Sequence, residues 1–184
     1  SCTFSFFLIR CFDIFVSFFG ILFLLPLFAI VSVAILIKDG KPIIFRQNRV
    51  GRNGKIFKIL KYRTMRVQQH DNSRHITIGD DDRITKTGAK LRTLKIDELP
   101  QLFNVFVGHM SFVGPRPEVV EYVEKYTDYQ KCILKVRPGI TCEASLKYYN
   151  ESEILGKSEN PREAYINKIM PDKIDININS IKKM

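Results

Sequence analysis

An unbroken apolar segment of 24 residues, Ile14 to Ile37, constrains the fold more than any other feature of the chain. The segment carries no formal charge, and as a straight helix it would be about 36 Å long. That length is sufficient for a hydrocarbon core of roughly 30 Å. A secretory signal would have a shorter apolar region followed by a small-residue cleavage site, whereas Ala34 here precedes three more large aliphatic residues. We therefore interpret the segment as a retained membrane anchor.

Basic residues follow this segment directly. Ten lysines and arginines lie between Lys38 and Arg66 against one acid, Asp39, whereas residues 67–184 contain eighteen basic and seventeen acidic side chains. The distribution argues against a nucleic-acid partner and favours anionic lipid headgroups, at about 1 kcal/mol per basic side chain near the surface. Because only Arg10 precedes the apolar segment, the charge bias predicts that the C-terminal part is cytoplasmic.

Pro26 lies near the middle of the apolar segment. Proline removes a helical hydrogen bond and clashes with the preceding turn, which leaves two arrangements open. A kinked helix can span the membrane, or the helix can bend at Pro26 and return to the side from which it entered, as re-entrant segments do when their backbone groups are satisfied. The residues alone favour the spanning arrangement.

Beyond the anchor, the pattern predicts short elements rather than long ones. The lysines of the second hairpin segment recur at every third position, so one face of a helix is an alternative there. We expect a β-hairpin formed by residues 42–45 and 55–62 around the Asn53-Gly54 turn, followed by a loop over residues 68–82. Further along, we expect a short helix or turn over residues 87–94 and a helix over residues 118–135. The C-terminal tail is expected to be interrupted by Pro161 and Pro171.

Two adjacent carboxylates, Asp97 and Glu98, open another predicted helix. Apolar residues follow at helical spacing, and Gly108 is expected to end the element. One carboxylate can attack phosphorus while its neighbour holds a divalent cation, and a helix N-terminus attracts phosphates. The alternative is that Asp97 is an ordinary N-cap with Pro100 in the first turn. The residues alone favour that alternative.

Arg116 stands between two prolines that restrict the backbone around it. Its planar guanidinium suits bidentate contacts with phosphate, although a solvated loop arginine is an equally acceptable explanation. Four other basic residues are candidates for the same phosphate-binding cluster: Lys61, Arg63, Arg92 and Arg137. The three histidines lack metal-ligand spacing, and the chain has neither a Walker A loop nor a GxGxxG motif, so we expect no zinc site and no common nucleotide-binding fold.

Several ungapped blocks occur in a fixed order along the chain. They are Arg49-Val50-Gly51, Lys61-Tyr62-Arg63-Thr64-Met65, Asp82-Arg83-Ile84-Thr85, Leu91-Arg92, residues 97–105 (DELPQLFNV), residues 108–117 (GHMSFVGPRP) and Arg137-Pro138-Gly139-Ile140-Thr141. Together they resemble the bacterial sugar transferase family, the small monotopic phosphoglycosyl transferases that prime glycan assembly on polyprenyl phosphate. The resemblance runs from Arg10 to about Thr141, and weakly to residues 171–173.

The resemblance implies an α+β fold of two parts. Residues 1–40 would form an N-terminal re-entrant membrane helix broken at Pro26, and residues 41–184 a small, mainly helical cytoplasmic catalytic domain with a short β-hairpin. The resemblance thus favours the re-entrant helix over the spanning helix, and it implies that the protein lies on the cytoplasmic face of the bacterial inner membrane. Arg10 and Asp13 match charged positions that keep the start of the helix at that surface. Leu25 departs from the serine usual in the family, and leucine cannot satisfy a backbone group freed by Pro26.

The resemblance also implies an enzyme and a mechanism. The enzyme would transfer a sugar-1-phosphate from a UDP-sugar to polyprenyl (undecaprenyl) phosphate, release UMP, require Mg²⁺, and start the synthesis of a surface glycan. Asp97 matches the nucleophile of a covalent phosphosugar–aspartyl intermediate, and Glu98 matches its neighbour, with both carboxylates as candidate metal ligands. The substrate-binding residues expected are Arg92, Arg116, Lys61, Arg63 and Arg137.

The expected partners are therefore the UDP-sugar, polyprenyl phosphate and lipid headgroups, and no nucleic acid. A homodimer is one candidate assembly. The rival interpretation from another functional class is a membrane-anchored binding protein, which would tolerate Asp97→Asn with full function. Nothing in the sequence identifies the transferred sugar.

Overall fold

The computed structural model describes residues 2–66 and 81–183, which form a mixture of helices and small sheets. A long N-terminal helix, α1 (Cys2–Lys38), is followed by a β-hairpin of β1 (Ile44–Val50) and β2 (Ile56–Tyr62). The remaining elements are α2 (Lys86–Thr93), α3 (Gln101–Val107), β3 (Ser111–Val113), α4 (Val120–Val123), β4 (Gly139–Thr141), α5 (Glu143–Lys147), α6 (Glu151–Gly156), α7 (Pro161–Ala164) and α8 (Met170–Lys183).

Helix α1 exposes apolar side chains around most of its circumference. Its segment Phe6–Lys38 is long and apolar enough to cross a membrane, and Phe15, Phe23 and Ile37 are among its exposed large residues. A helix that is hydrophobic all round and not covered by protein is typical of a membrane environment. The helix assignment continues through Pro26. The break expected at that residue stays a prediction, as does the re-entrant path.

Polar contacts tie both ends of α1 to the rest of the chain. Near its start, Arg10 donates to the carbonyls of Val105 and Phe106, each at 2.7 Å, in the last turn of α3. Just beyond its end, the carbonyls of residues 39–41 accept hydrogen bonds from the buried Arg63. Between these two points α1 packs along α3. The two ends of the helix therefore bind the same domain.

The predicted hairpin is confirmed. Strands β1 and β2 pair antiparallel from Ile44 opposite Tyr62 to Val50 opposite Ile56, which excludes the helical alternative for the second segment. The connection contains Asn53 with φ 57° and Gly54 with φ 75°, a left-handed conformation that these two residue types adopt readily. The first strand begins later than the expected residues 42–45, because pairing with β2 starts only at Ile44.

The other predicted elements have mixed outcomes. Helix α2 confirms the short helix expected over residues 87–94, whereas the loop expected over residues 68–82 lies largely outside the described residues. The single helix expected over residues 118–135 is wrong: α4 is short, and a separate 3₁₀ segment covers Gln130–Lys135. Thr127 and Gln130 bond reciprocally to each other's backbone N–H groups, and this capping box starts a new element there.

The expectation that prolines interrupt the C-terminal tail is confirmed at Pro161, where α7 begins after a non-helical stretch that follows α6, and is wrong at Pro171. Pro161 occupies the first turn of α7, where its missing N–H costs nothing. Helix α7, a π turn over Tyr165–Ile169 and α8 follow one another without a gap. The π turn directly precedes the helical turn that contains Pro171, and it accommodates that proline. The buried face of this helical stretch packs on the segment around α4, in a core that includes Val119, Tyr122, Tyr126, Ile133, Tyr165, Ile169, Met170, Ile174 and Ile178.

Candidate active site

The acidic pair lies in a 3₁₀ turn, Ile96–Glu98, between α2 and α3. Lys95 enters the turn with φ 57°, which reverses the chain after α2. Pro100 is the residue before α3, and no side chain caps that helix. The alternative that Asp97 is the N-cap of this helix, with Pro100 inside its first turn, is therefore wrong. The expected end of α3 at Gly108 is confirmed, with φ 91° at that glycine.

Asn104 fixes the orientation of α3 against the hairpin. Its side-chain oxygen accepts from the backbone N–H of Leu60 at 3.0 Å, and its amide donates to the carbonyl of Lys58 at 2.9 Å. The amide side chain thus pairs with the free edge of β2 as another strand would. This contact holds the acidic pair, which precedes α3, beside Lys61 near the end of β2.

A close approach of α2 to the chain after β2 positions Arg92. A Cβ atom at Gly88 would overlap the backbone of Thr64, so only glycine permits this packing. Arg92 Nε then donates to Thr64 Oγ1 at 2.9 Å. Helix α2 carries the guanidinium toward Asp97, whose charge acts on Arg92 together with that of Asp81.

A second close backbone approach positions Arg116. Strands β3 and β4 pair in parallel. Directly after β3, a Cβ on Gly114 would overlap the carbonyl of Arg137, and a Cβ on Gly139 would overlap the backbone of Gly114. Gly139 N–H donates to the Pro115 carbonyl at 2.9 Å. The loop that carries Arg116 is thus fixed by backbone contacts as well as by its flanking prolines.

Glu98 lies between two cations. Its Oε1 accepts from Lys61 Nζ at 2.8 Å and from Arg116, whose second terminal nitrogen lies 3.5 Å from Oε2. Burial alone would raise the pKa of Glu98, but the charges and hydrogen bonds of Arg116 and Lys61 outweigh burial and lower the pKa to about 2. Glu98 is therefore ionised at every physiological pH.

Asp97 has the opposite environment. Its side chain is buried, and among the described residues its Oδ1 has no hydrogen-bond partner. Burial raises the pKa of Asp97, and the charge of Glu98 raises it further, against the opposing effects of Lys61 and Arg92. An unpartnered buried carboxylate is costly to stability, and its oxygen is not engaged by a protein donor that would compete with a role as nucleophile or metal ligand.

Lys61 contacts the pair from β2. Burial and the repulsion of Arg116 lower its pKa to about 8, although Glu98 acts in the opposite direction. A cation with a pKa this close to neutrality can lose its proton within the working range of an enzyme.

The structure brings together five of the seven predicted site residues: Asp97, Glu98, Lys61, Arg92 and Arg116. The other two lie elsewhere. Arg63 binds the carbonyls at the end of α1, and Arg137 donates to the Gly108 carbonyl at the opposite end of α3 from Asp97. Both guanidiniums here bind backbone carbonyls that follow helix ends, a common role for basic side chains.

A metal ion would have to bind with few protein ligands. Within residues 2–66 and 81–183 no cluster of three or more His, Cys, Asp or Glu side chains is found. Mg²⁺ characteristically uses one or two carboxylates and completes its shell with water and substrate phosphates. The acidic pair fits that requirement, since Asp97 Oδ1 lacks a partner within these same residues.

A cavity of about 840 Å³ opens beside Glu98 and Arg116. Its wall includes a network that the sequence did not predict: Arg49 donates to the Pro117 carbonyl at 3.1 Å and contacts Glu118 at 3.4 Å, while Tyr165 donates to the other oxygen of Glu118. Arg49 belongs to one of the sequence blocks quoted above and Glu118 directly follows another, which was an available signal. No sequence signal pointed to Tyr165, because this residue lies far along the chain and reaches Glu118 only through the position of the π turn.

The chain matches one family model and is similar to several known sugar transferases. Residues 4–180 match the family model described as bacterial sugar transferase. The chain is 48% identical over 115 residues to the galactosyl transferase CpsE of Streptococcus agalactiae serotype III (strain NEM316), which covers 56% of this chain and 26% of that protein. It is 37% identical over 154 residues to a UDP-glucose:undecaprenyl-phosphate glucose-1-phosphate transferase of Escherichia coli (strain K12), covering 82% and 33% respectively.

A shorter relative is matched over most of its length. The exopolysaccharide production protein PSS of Rhizobium leguminosarum bv. phaseoli is 40% identical over 146 residues, which cover 75% of this chain and 72% of that protein. The chain therefore spans a third or less of the first two relatives and nearly three quarters of the third.

Proposed function

The chain belongs to the bacterial sugar transferase family, and on this premise we propose that it transfers a sugar-1-phosphate from a UDP-sugar to a polyprenyl phosphate. UMP is released, and the product starts the assembly of a surface glycan. One observation carries the proposal: Asp97, a buried carboxylate with an oxygen unpartnered in the described part of the chain, stands beside Glu98, a carboxylate held by two cations. The named transfer reaction of the Escherichia coli relative supports the choice of substrates.

The reaction proceeds in two displacements. A carboxylate oxygen of Asp97 attacks the phosphorus that bears the sugar, the bond from that phosphorus to the bridging oxygen breaks, and UMP leaves with the electron pair. The resulting acyl phosphate is then attacked by a phosphate oxygen of polyprenyl phosphate, and the Asp97 carboxylate leaves. Covalent catalysis of this kind divides one difficult transfer into two easier steps.

The cations around the pair hold the phosphates during both steps. Lys61 and Arg116 already converge on Glu98, and Arg92 approaches Asp97 from α2. Preorganised positive charge stabilises the negative charge that develops on phosphate oxygens and on the leaving group. Glu98 balances two of these cations and keeps their side chains in place when no substrate is bound.

Mg²⁺ suits this site because the two carboxylates provide as many protein ligands as the ion normally uses beside a nucleotide. Asp97 and Glu98 would hold it. When bound, the ion supplies a divalent positive charge that neutralises the diphosphate.

We also propose a re-entrant path, which the contacts at both ends of α1 support, and a location on the cytoplasmic face of the inner membrane, which the basic residues after the apolar segment support. A straight helix between Arg10 and Asp39 would measure about 43 Å, close to the full thickness of a bilayer with its headgroups. A domain that binds both ends of such a spanning helix would itself lie within the hydrocarbon. A bend at Pro26 removes this conflict, because both ends then reach one surface. The exposed Phe103, Phe106 and Val107 of α3 lie beside the helix and suit contact with lipid.

Topology is tested with the native cysteines. One variant keeps Cys2 alone and another keeps Cys132 alone, with the other cysteines replaced by serine. A membrane-impermeant maleimide should label both variants from the same side of an oriented vesicle. Labelling of the two cysteines from opposite sides would support a spanning helix instead.

The reaction is tested by UMP release. The protein, in lipid nanodiscs with Mg²⁺, is given undecaprenyl phosphate and, in separate assays, UDP-glucose, UDP-galactose and their N-acetylhexosamine counterparts. We expect UMP release that depends on the acceptor with at least one donor and is abolished by EDTA. A protein that binds these donors without releasing UMP from any of them would be a membrane-anchored binding protein.

A further inference from the structure

We infer that the cavity beside Glu98 holds the sugar of the donor, and that Tyr149 and Glu151 on its wall bind that sugar. The inference rests on the proposed function and assigns a part of the molecule that the transfer chemistry does not use. It concerns the α5–α6 side of the cavity, some fifty residues beyond the acidic pair in sequence.

The cavity is continuous with the phosphate site. Its lining includes Glu98, Arg116 and Lys95 together with residues of α5, α6 and α8. We therefore place the substituent of a phosphate bound by Arg116 in this space. A volume of about 840 Å³ lies within the range of pockets that enclose small-molecule ligands, roughly 300–1,000 Å³.

The charges on the wall favour a neutral, hydroxyl-rich group. Lys173 pairs with Glu151 at 2.6 Å and Arg49 with Glu118 at 3.4 Å, so each cation on this side has its own carboxylate. A nucleotide phosphate requires unbalanced positive charge, whereas the hydroxyls of a sugar can donate to carboxylates and accept from an ammonium group. Hydrogen bonds to charged groups are the stronger ones. A sugar thus matches this wall better than a second phosphate does.

Aromatic surface at the rim supports the same assignment. The ring of Tyr149 is 84% exposed and Leu146, three residues earlier, is 71% exposed, yet both line the cavity. Within the described part of the chain, the Tyr149 ring makes no ring contact and no hydrogen bond. A single exposed apolar side chain is ordinary, but two on one rim form a platform. The C–H face of a pyranose can cover such a platform while its hydroxyls reach Glu151.

The experiment separates the sugar from the nucleoside. In an Asp97→Asn background that cannot turn over, dissociation constants for UDP and for the UDP-sugar that the wild type uses are measured calorimetrically in nanodiscs with Mg²⁺. The dissociation constant of UDP divided by that of the UDP-sugar reports what the sugar contributes to binding. Tyr149→Ala and Glu151→Gln are compared with matched controls, Tyr129→Ala and Glu153→Gln. Tyr129 and Glu153 are exposed residues that do not line the cavity.

We expect each cavity variant to lower this ratio about three- to tenfold while UDP binding stays unchanged, and both controls to keep the wild-type ratio. Equal weakening of UDP and UDP-sugar would mean that the cavity holds the nucleoside, and unchanged binding of both would mean that the sugar lies elsewhere. Either result overturns the inference and leaves the proposed reaction intact. Failure of the wild type to release UMP from any donor is a separate result, and both proposals would fall with it.

Discussion

Asp97 and Glu98 are adjacent in sequence, but the regions around their side chains differ. Glu98 faces Lys61, Arg116 and the cavity, and opposite charge within hydrogen-bonding distance lowers its pKa to about 2. Asp97 is buried on the α2 side with one oxygen unpartnered, and burial raises its pKa. Two carboxylates whose environments shift their pKa values in opposite directions generally have different roles. We assign the fixed charge to Glu98 and the reacting oxygen to Asp97.

Replacing Asp97 tests this difference most severely. Asp97→Asn keeps the size of the side chain but removes the nucleophile, so we expect UMP release to fall on the order of 10⁴-fold or more. Asp128→Asn, at a fully exposed position, is the matched control and should leave the rate unchanged. Initial rates with saturating acceptor measure both. Near-normal activity of Asp97→Asn would transfer the role of nucleophile to another group.

Changing a cation on the Glu98 side has the next largest expected effect. Arg116→Lys preserves the charge but loses the planar fork that contacts both oxygens of Glu98. We expect kcat/KM to fall about 10²-fold, comparable to the loss of one preorganised donor. Arg162→Lys, on the surface beside Glu121, controls for the substitution itself. If the two variants have equal kinetics, the fork geometry has no function in the reaction.

The pH dependence of kcat/KM separates the two regions without removing either carboxylate. Activity requires ionised Asp97, so the acid limb should lie above the ordinary aspartate pKa of 3.8, because burial raises that pKa. Activity also requires protonated Lys61, so the alkaline limb should lie near pH 8. In Lys61→Arg the alkaline limb should move upward while the acid limb stays. An unmoved alkaline limb would show that a different group titrates there.

The smallest expected effect is on thermal stability. Asp97→Asn should increase stability although it lowers activity. A raised pKa means that ionised Asp97 destabilises the fold above its unfolded-state pKa, so Asp97→Asn should raise Tm at pH 7 by about 2–4 °C. The gain should be smaller at an acidic pH below the raised pKa of Asp97, because the wild-type carboxyl is then protonated. Scanning calorimetry at the two pH values measures this. A lower Tm for the variant would indicate that Asp97 stabilises the fold.

The sequence predicted local structure well wherever one residue type decides the outcome. The hairpin depended on the Asn53-Gly54 turn, and α3 ended at Gly108 as expected. The predictions of local structure were wrong where a side chain caps the backbone inside a predicted helix, or where packing against a distant element decides the conformation. The capping box at Thr127 divides an otherwise helical pattern, and Pro171 is accommodated by a π turn whose packing against α4 no local pattern reveals.

For the candidate site, the sequence identified the residues better than their surroundings. Asp97, Glu98, Lys61, Arg92 and Arg116 were named together and lie together. Charge alone could not distinguish Arg63 and Arg137 from these, because both guanidiniums bind carbonyls of chain segments far away in sequence. The cavity was beyond prediction for the same reason, since its walls come from residues 49 to 177.

Detection of a covalent intermediate tests the central assignment most directly. The protein is mixed with the UDP-sugar it uses and Mg²⁺, without acceptor, quenched in acid and analysed by intact-mass and peptide mass spectrometry. A nucleophilic Asp97 predicts a mass increase of one sugar phosphate, located on the peptide that contains Asp97, absent in Asp97→Asn and lost on addition of undecaprenyl phosphate. An adduct on Glu98 or on any other residue, or acceptor-dependent turnover with no adduct at all, would contradict it.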